Sequence, residues 1–549
     1  MTTNNANIAA HLPAVAAQHP DTLSVVVQET RGGRLGYRQY TAKELNAESD
    51  HIAHGLEHVG ITRGMRTVLM VKPSLEFFAL TFALFKVGAV PVMVDPGMGI
   101  KNLKTCLAEA EPEAFIGIPK AHVARVLMGW GKATVRILIT VGRKLFWGGV
   151  TLQEIREEGD RPYAMAQTEP EETAAILFTS GSTGVPKGAV YPHRIFNAQV
   201  ECLRRDYGIG PGEKDLATFP LFALFGPALG MAAIVPEMDA SKPAKADPKK
   251  IIAAIQGYEA TNMFGSPALI DVVGRYGPAH RVRLPSLKRV ISAGAPADPE
   301  SLARFCTMLE PGVEVLPSYG ATEALPVAFI GTNELLGETT EQTHRGAGIC
   351  VGRAVENMEV SIMAISDGPV ETYTDDLRLP AGAIGEIVVK GPVVTASYYN
   401  RPESTALAKM RGPDGTGTYH RMGDLGYLDE LGRLWMCGRK AHRVDTPEGT
   451  LFTIPCERIF NVHPSVRRTA LVGVKQGGVT APVLCVERNK DAREPDQTLR
   501  QALLELGQAN PKTKSIRTIL FHPRFPVDIR HNAKIFREKL AVWAEGKLS

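Results

Sequence analysis

Ten consecutive residues, Thr179-Ser180-Gly181-Ser182-Thr183-Gly184-Val185-Pro186-Lys187-Gly188, gather four hydroxyl side chains, three glycines and a lysine. Glycine lets a backbone approach a phosphate closely, and the hydroxyls and amide N–H groups donate to its oxygens. Lys187 adds the charge that follows a polyphosphate tail. The spacing is not that of a P-loop nucleotidase, since Pro186 stands where the second glycine would be. A Ser/Thr/Gly-rich run is usually a flexible loop. This one follows Ala174-Ala175-Ile176-Leu177-Phe178, which reads as a short buried strand, and it closes on the stiff Pro-Lys-Gly.

Other blocks have chemistry-bearing residues in tight groups. Ser292-Ala293-Gly294-Ala295-Pro296 follows a β-rich stretch and suits a backbone lying against a flat ring. Tyr319-Gly320-Ala321-Thr322-Glu323 combines an aromatic face, a glycine, a hydroxyl and a carboxylate. His420-Arg421-Met422-Gly423-Asp424 sets an acid after a glycine, suited to a ribose diol, and Gly438-Arg439 and Asn532-Ala533-Lys534-Ile535 add cations. Each alone is weak, because Asp, Glu and Lys are mostly solvated surface.

The elements that must position these groups read as α/β. A helical stripe of Leu45, Ile52, Ala53 and Leu56 precedes a strand at 67–71. A second helix at 75–85 leads to a strand at 90–94, and further strands are expected at 135–141, 289–292, 384–390 and 469–474. Such alternation predicts parallel sheets covered by helices, with ligands at the strand ends. A length of 549 residues exceeds one compact core. The boundary expected near Cys437-Gly438-Arg439 gives a large domain at 1–437 and a small α+β domain at 438–549.

Composition narrows the classes. A hydrophobic share of 44% and a charged share of 22% are ordinary for a globular chain. Sixty-two basic residues against 58 acidic give +4, so overall charge makes no case for a nucleic-acid or anionic-membrane partner. Seven scattered cysteines without C-x-x-C spacing point to a reduced, cytoplasmic setting. No secretory signal is read at the N-terminus. The charge-free run Phe219–Pro236 is broken by Pro220, Gly226, Pro227 and Gly230. It is expected to wall an apolar pocket and not to span a membrane.

Taken in order, these blocks resemble the adenylate-forming superfamily of acyl-CoA synthetases, peptide-synthetase adenylation domains and luciferases. The resemblance runs from Tyr40 to Leu540 and includes Lys86-Val87-Gly88-Ala89-Val90-Pro91-Val92 and Lys534-Ile535-Phe536-Arg537-Glu538-Lys539-Leu540. It implies a large N-terminal adenylate-forming domain and a small mobile C-terminal one, with ATP and Mg²⁺ as cofactors. Thr179, Ser180, Gly181, Ser182, Thr183, Gly184 and Lys187 would hold the β- and γ-phosphates. Gly294, Ala295 and Pro296 would line the adenine, with Tyr319 and Gly320 beside the ring. Thr322 would touch the α-phosphate, Glu323 would hold the metal, and Asp424 with Arg439 would grip the ribose. Lys534 would reach the carboxylate and α-phosphate during adenylation.

Four departures separate the chain from a CoA ligase of that superfamily. Ala223 stands where many relatives carry histidine beside the pantetheine route. The hinge reads Gly438-Arg439-Lys440-Ala441 where relatives have Gly-Arg-x-Asp. Asp445 follows Val444 where a lysine is usual, and Ala533 precedes Lys534 where glycine is usual. Drift at tolerant positions explains any one of them; together they favour an altered second half-reaction. Leu177–Gly188, Ala223–Gly230, Met263–Leu269 and Phe525–Trp543 resemble the β-lactone synthetase family of bacterial long-chain olefin biosynthesis. That resemblance implies a 2-alkyl-3-hydroxyalkanoic acid as substrate, seated against Phe222, Ala223, Phe225 and Gly265. It also implies assembly with a β-lactone decarboxylase and a 2-alkyl-3-oxoalkanoate reductase. A medium- or long-chain acyl-CoA or acyl-carrier ligase is the competing enzyme reading, and a silent acyl-AMP-binding scaffold the non-enzymatic one. For the base that activates the β-hydroxyl, His193 is a weak candidate, with a structural role more in keeping with its strand–helix junction.

Overall fold

In the computed structural model, residues 5–159, 161–178, 186–527 and 535–548 are described. Two large sheets face each other across a layer of helices. The first runs in the strand order 359–363, 385–390, 418–428, 434–439, 349–354, 324–329, 315–321, 289–292, 262–265, 214–217, 232–235, 23–31 and 34–41, with 409–411 on the 418–428 strand. From 315–321 to 23–31 its neighbours are parallel; at the other end they are antiparallel. The second sheet orders 150–151, 137–140, 114–117, 66–70, 90–93, 173–178 and 188–192, all parallel except the last pair.

Alternation along the strands builds the layers, because successive strand residues face opposite sides. Val25 and Val27 point into the core between the sheets, while Val26 joins the outer cluster with Leu216, Ile234, Ile251 and Leu269. In the second sheet Ala175 and Leu177 face inward, and Ile176 and Phe178 face the outer cluster with Leu103 and Leu107. Helix Leu75–Val87 lies in the inner layer with twelve of its thirteen residues buried, so its sequence is apolar all round instead of striped. Helix Ala42–His58 is opened by a Thr41/Glu44 capping box and carries the predicted stripe.

The chain beyond the large sheet builds its own layers. A hairpin pairs Val444–Thr446 with Gly449–Leu451, and a three-stranded sheet orders 466–476, 479–488 and 518–521. Helix Asp496–Gln508 covers one face through Leu499 and Leu503, and helix Arg537–Leu548 covers the other through Leu540 and Ala544. Strand Leu434–Arg439 continues through Gly438 and Arg439, so both lie in the large sheet. All seven cysteines are free thiols. Among the described residues no helix is long and apolar enough to cross a membrane.

One buried charge pair ties the inner layer together. Lys86, 1% exposed, donates to Asp50 Oδ1 at 2.6 Å and to Asn46 Oδ1 at 2.9 Å, linking the two central helices. Removing one partner strands the other in a dry core. Asp50→Ala is expected to cost about 3–5 kcal/mol, read as a lower urea midpoint; an unchanged midpoint would contradict the pair's role.

Candidate functional site

The parallel strands of the first sheet end together, with Gly265 beside Ser292 and Ser292 beside Pro317 in register. The turn after Ser292 carries Gly294 in the left-handed region (φ +98°), with Gly294 and Pro296 exposed and Ala295 partly so. Tyr319 is buried at the end of strand Val315–Ala321. Its hydroxyl donates to Asp424 Oδ2 at 2.8 Å, and Arg439 Nη1 donates to Asp424 Oδ1 at 2.8 Å. Gly423 (φ +68°) lies under the guanidinium: a Cβ there would sit 3.6 Å from Arg439 Nη2.

This contact places a strong demand on the sheet. The strand carrying Tyr319 lies four places from the strand carrying Asp424. At the usual spacing a flat sheet would separate them by about 19 Å, far beyond a tyrosine's reach. The antiparallel end therefore curls over the strand ends and folds Asp424 and Arg439 onto the parallel half.

Glu323 follows in the hairpin between strands Val315–Ala321 and Ala324–Phe329. Tyr398 donates to its Oε1 at 2.6 Å, while its backbone carbonyl accepts from the Thr395 amide at 2.9 Å and hydroxyl at 3.1 Å. Among the described residues Oε2 carries no hydrogen bond. The Thr322 carbonyl accepts from the Tyr191 hydroxyl, which leaves the Thr322 side chain uncommitted among those residues. Gly320 serves its own hairpin, since a Cβ there would fall 2.8 Å from the Ala324 carbonyl.

Basic side chains surround these carboxylates. Lys187 Nζ stands 5.1 Å from the Tyr398 ring centroid and Lys409 Nζ 5.8 Å. Lys409 is buried and donates to Thr395 Oγ1 at 2.9 Å. Burial pushes its amine down to about 7 against the pull of Glu323. Burial, and then the charge of Lys409, hold His420 neutral well below the ordinary histidine range. Burial and Glu323 push the Tyr398 hydroxyl well up, so it stays a donor. The arrangement can bind a polyanion while keeping one carboxylate oxygen for a divalent ion.

Residues 179–184 and Lys534 lie outside the described residues. The flanks of that segment are described: strand Thr173–Phe178 pairs with Gly188–Pro192, and Phe178 lies opposite Gly188 in register. That puts Lys187 beside this pair and near Tyr398. Phe222 stacks on Phe264 at 4.0 Å and meets Phe225 at 6.1 Å, with Ala223 buried behind them and Gly265 at the adjacent strand end. Behind Ala223 a cleft of about 950 Å³ opens between the two sheets, lined by Ala217, Pro220 and Val235 but also by Arg38, Glu48 and Arg156. The run 219–236 thus walls a space of mixed polarity on that side. His193 accepts from the Ile8 amide at 3.2 Å, and burial lowers it to about 4; its role is structural. Tyr398, Thr395 and Lys409 were not legible from sequence: they sit in a loop and a three-residue strand that carry no motif.

Fold and site define an AMP-binding enzyme. The model of that family matches residues 12–399, and the chain belongs to it. Within it the chain is 49% identical to the olefin beta-lactone synthetase of Stenotrophomonas maltophilia over 99% of its own length and 98% of that protein. It is equally 49% identical to the olefin beta-lactone synthetase of Xanthomonas campestris pv. campestris, over the same shares. It belongs with these proteins as one family. ATP-bound MatB from Rhodopseudomonas palustris has the same fold, with a TM-score of 0.80 at 20% identity over 99% of this chain and all of that one.

The buried amine sets a pH test. An unfolded lysine titrates near 10.4, so between about 7 and 10 the unfolded chain binds one more proton than the folded chain. Stability from this group therefore rises with pH across that window and is flat below it. The difference in unfolding temperature between the parent and Lys409→Met is expected to shift in the parent's favour from pH 7 to 9.5. A pH-independent difference would show that the amine is not held neutral.

Proposed function

We propose that the chain is an ATP- and Mg²⁺-dependent β-lactone synthetase acting on a long-chain 2-alkyl-3-hydroxyalkanoic acid. The reading is carried by end-to-end identity of nearly half to proteins bearing that name, on a chain whose Tyr319–Asp424–Arg439 and Glu323–Tyr398 groups are intact. In the first step a carboxylate oxygen attacks the α-phosphorus and diphosphate leaves. In the second, the substrate's β-hydroxyl oxygen attacks the acyl carbon, loses its proton, and AMP departs as the four-membered ring closes. The nucleophile is already held beside the acyl carbon, where effective molarities of ~10⁵ M or more are reachable.

The residues fit both partners of the first step. Asp424 keeps its orientation through Tyr319 and Arg439 and retains lone pairs for a ribose diol. No group of three or more His, Cys, Asp or Glu gathers among the described residues. Magnesium held by one carboxylate and the phosphates needs none, and Glu323 Oε2 supports that role. When bound, the ion offsets the charge of two approaching anions. Lys187 and Thr322 would steady the phosphates with residues 179–184, Gly294 to Pro296 would border the adenine, and Phe222, Ala223, Phe225 and Gly265 the acyl chains. Lys534 would complete the charge balance from the small domain.

The hinge favours a lactone over a thioester. We place the small mobile domain at 438–549, with its first two residues still in the large sheet. Gly438 (φ +127°) lies so close to helix Thr453–Phe460 that a Cβ would meet Thr453 Oγ1 at 2.3 Å. Next to it, Lys440 donates to the Ser366 carbonyl at 2.7 Å and to buried Glu386 at 3.1 Å, and Glu386 is also held by Arg421. A latch of this kind resists the rotation that would admit an external thiol. Assembly with a β-lactone decarboxylase and a 2-alkyl-3-oxoalkanoate reductase is part of the same proposal, since a strained, water-labile lactone calls for a nearby consumer.

Incubation with ATP, Mg²⁺ and a 2-alkyl-3-hydroxy acid is expected to yield AMP and a β-lactone with or without CoA. A strict CoA requirement with a thioester product would reject the assignment. Lys534→Ala is expected to lower adenylation ~10²–10³-fold with ATP affinity nearly kept, whereas Asp424→Asn should weaken ATP binding itself. An unaltered diphosphate-exchange rate in Lys534→Ala would contradict its role.

A further inference from the structure

The near-neutral overall charge hides a local asymmetry. Between Glu113 and Glu154 the chain runs forty residues without a carboxylate side chain, yet it carries Lys120, Arg125, Lys132, Arg136, Arg143 and Lys144. The two bounding acids are already paired, Glu113 with Arg66 at 3.3 Å and Glu154 with Lys144 at 3.4 Å. Lys120, Lys132, Arg136 and Arg143 are exposed and in no ion pair among the described residues. The segment builds one whole edge of the second sheet: strands Ala114–Gly117, Ile137–Thr140 and Val150–Thr151 with helix Pro119–Met128.

On this basic edge the protein exposes large apolar side chains. Leu127 is 71% exposed and Phe146 72%, with Val126, Met128 and Leu145 exposed beside them. They are presented by a built scaffold. The Trp147 indole is buried, donates to Thr140 Oγ1 at 2.9 Å and stacks on His122 at 5.2 Å. Phe146 meets Trp147 edge-on at 5.4 Å, so anchoring Trp147 turns its neighbour outward. Val126 lies one helical turn beyond His122, on the same face as that stack. Helix Pro119–Met128 then ends at Gly129 (φ +68°), leaving Leu127 and Met128 on its last turn.

Exposed apolar groups rimmed by polar ones mark an interaction surface, and the charge selects the partner. A second copy would bring basic edge against basic edge, which like charges oppose. A nucleic-acid backbone has no use for exposed Leu127 or Phe146. An anionic bilayer satisfies both features, with acyl chains for the apolar side chains and headgroups for the surrounding lysines and arginines. We propose that this edge of the second sheet, with Leu127 exposed on its helix and Phe146 exposed beside Trp147, docks the enzyme on an anionic lipid surface. The docking stands independently of the lactone reading; a substrate with two long alkyl chains, itself resident in lipid, gives it a use.

The test pellets the full-length chain with vesicles of phosphatidylcholine alone, or mixed with phosphatidylglycerol, at low and high salt. Binding is expected with phosphatidylglycerol and should fall as salt rises. Leu127→Ser with Phe146→Ser should lower the partition coefficient ~10-fold or more, and Lys120→Gln or Arg143→Gln about fivefold each. Unfolding temperatures close to the parent's confirm that the variants are folded. Absence of pelleting, or equal pelleting with neutral vesicles, overturns the proposal. So does a double variant that binds vesicles normally but breaks up an oligomer seen by light scattering, which would assign the face to a protein contact.

Discussion

A single carboxylate, Asp424, held by Tyr319 on one side and Arg439 on the other, is the contact on which the site's shape depends. It joins strands four places apart and is possible only because the antiparallel end of the sheet curls back over the parallel strand ends. Once that curl is made, Glu323, Tyr398 and Lys187 come within reach of one another. Distant chain segments thereby become one polar cluster. Asp424 is almost wholly buried, and its two hydrogen-bonding partners are what make a carboxylate tolerable there.

Charge is arranged around this cluster in layers. Glu323 and Asp424 are the inner anions, Glu323 with one oxygen engaged and Asp424 with both. Lys187 and Arg439 stand around them as cations, with Lys409 charged only towards lower pH, and His420 stays uncharged because burial and these basic groups oppose its protonation. Bringing a carboxylate onto a phosphorus needs positive charge close by, since two negative groups must approach in a place with little water. The same logic holds at the exit of strand Leu434–Arg439, where buried Glu386 receives both Arg421 and Lys440 and the chain is fastened by charge.

Much of the fold was legible in the pattern of residues. The strands expected at 67–71, 90–94, 289–292 and 384–390 are present within a residue or two of those bounds. Helix Leu75–Val87 follows the reading at 75–85. These elements are local: alternation, caps and glycine stops fix them without reference to the rest of the chain. Tyr398, Thr395 and Lys409 were invisible because nothing in the residues around them differs from an ordinary loop. Their value comes from what packs against them, which no spacing in the sequence encodes. The pocket behind Ala223 differs in the same way: the charge-free run at 219–236 supplies one wall, and Arg38, Glu48 and Arg156 arrive from other elements.

The sequence alone determined the class of chemistry, because a Ser/Thr/Gly-rich run closed by Pro-Lys-Gly, an acid set after a glycine and a tyrosine–glycine–alanine–threonine–glutamate block are short, contiguous and tied to functional groups. It also determined the α/β character, through periodicities of two and three to four residues. Only the tertiary structure decided that Tyr319 and Arg439 share Asp424, that Lys440 is latched to Glu386, and that the longest acid-free stretch stands at a sheet edge with Leu127 and Phe146 exposed. Those outcomes depend on sheet curl and on which faces remain uncovered, and both are set by long-range packing.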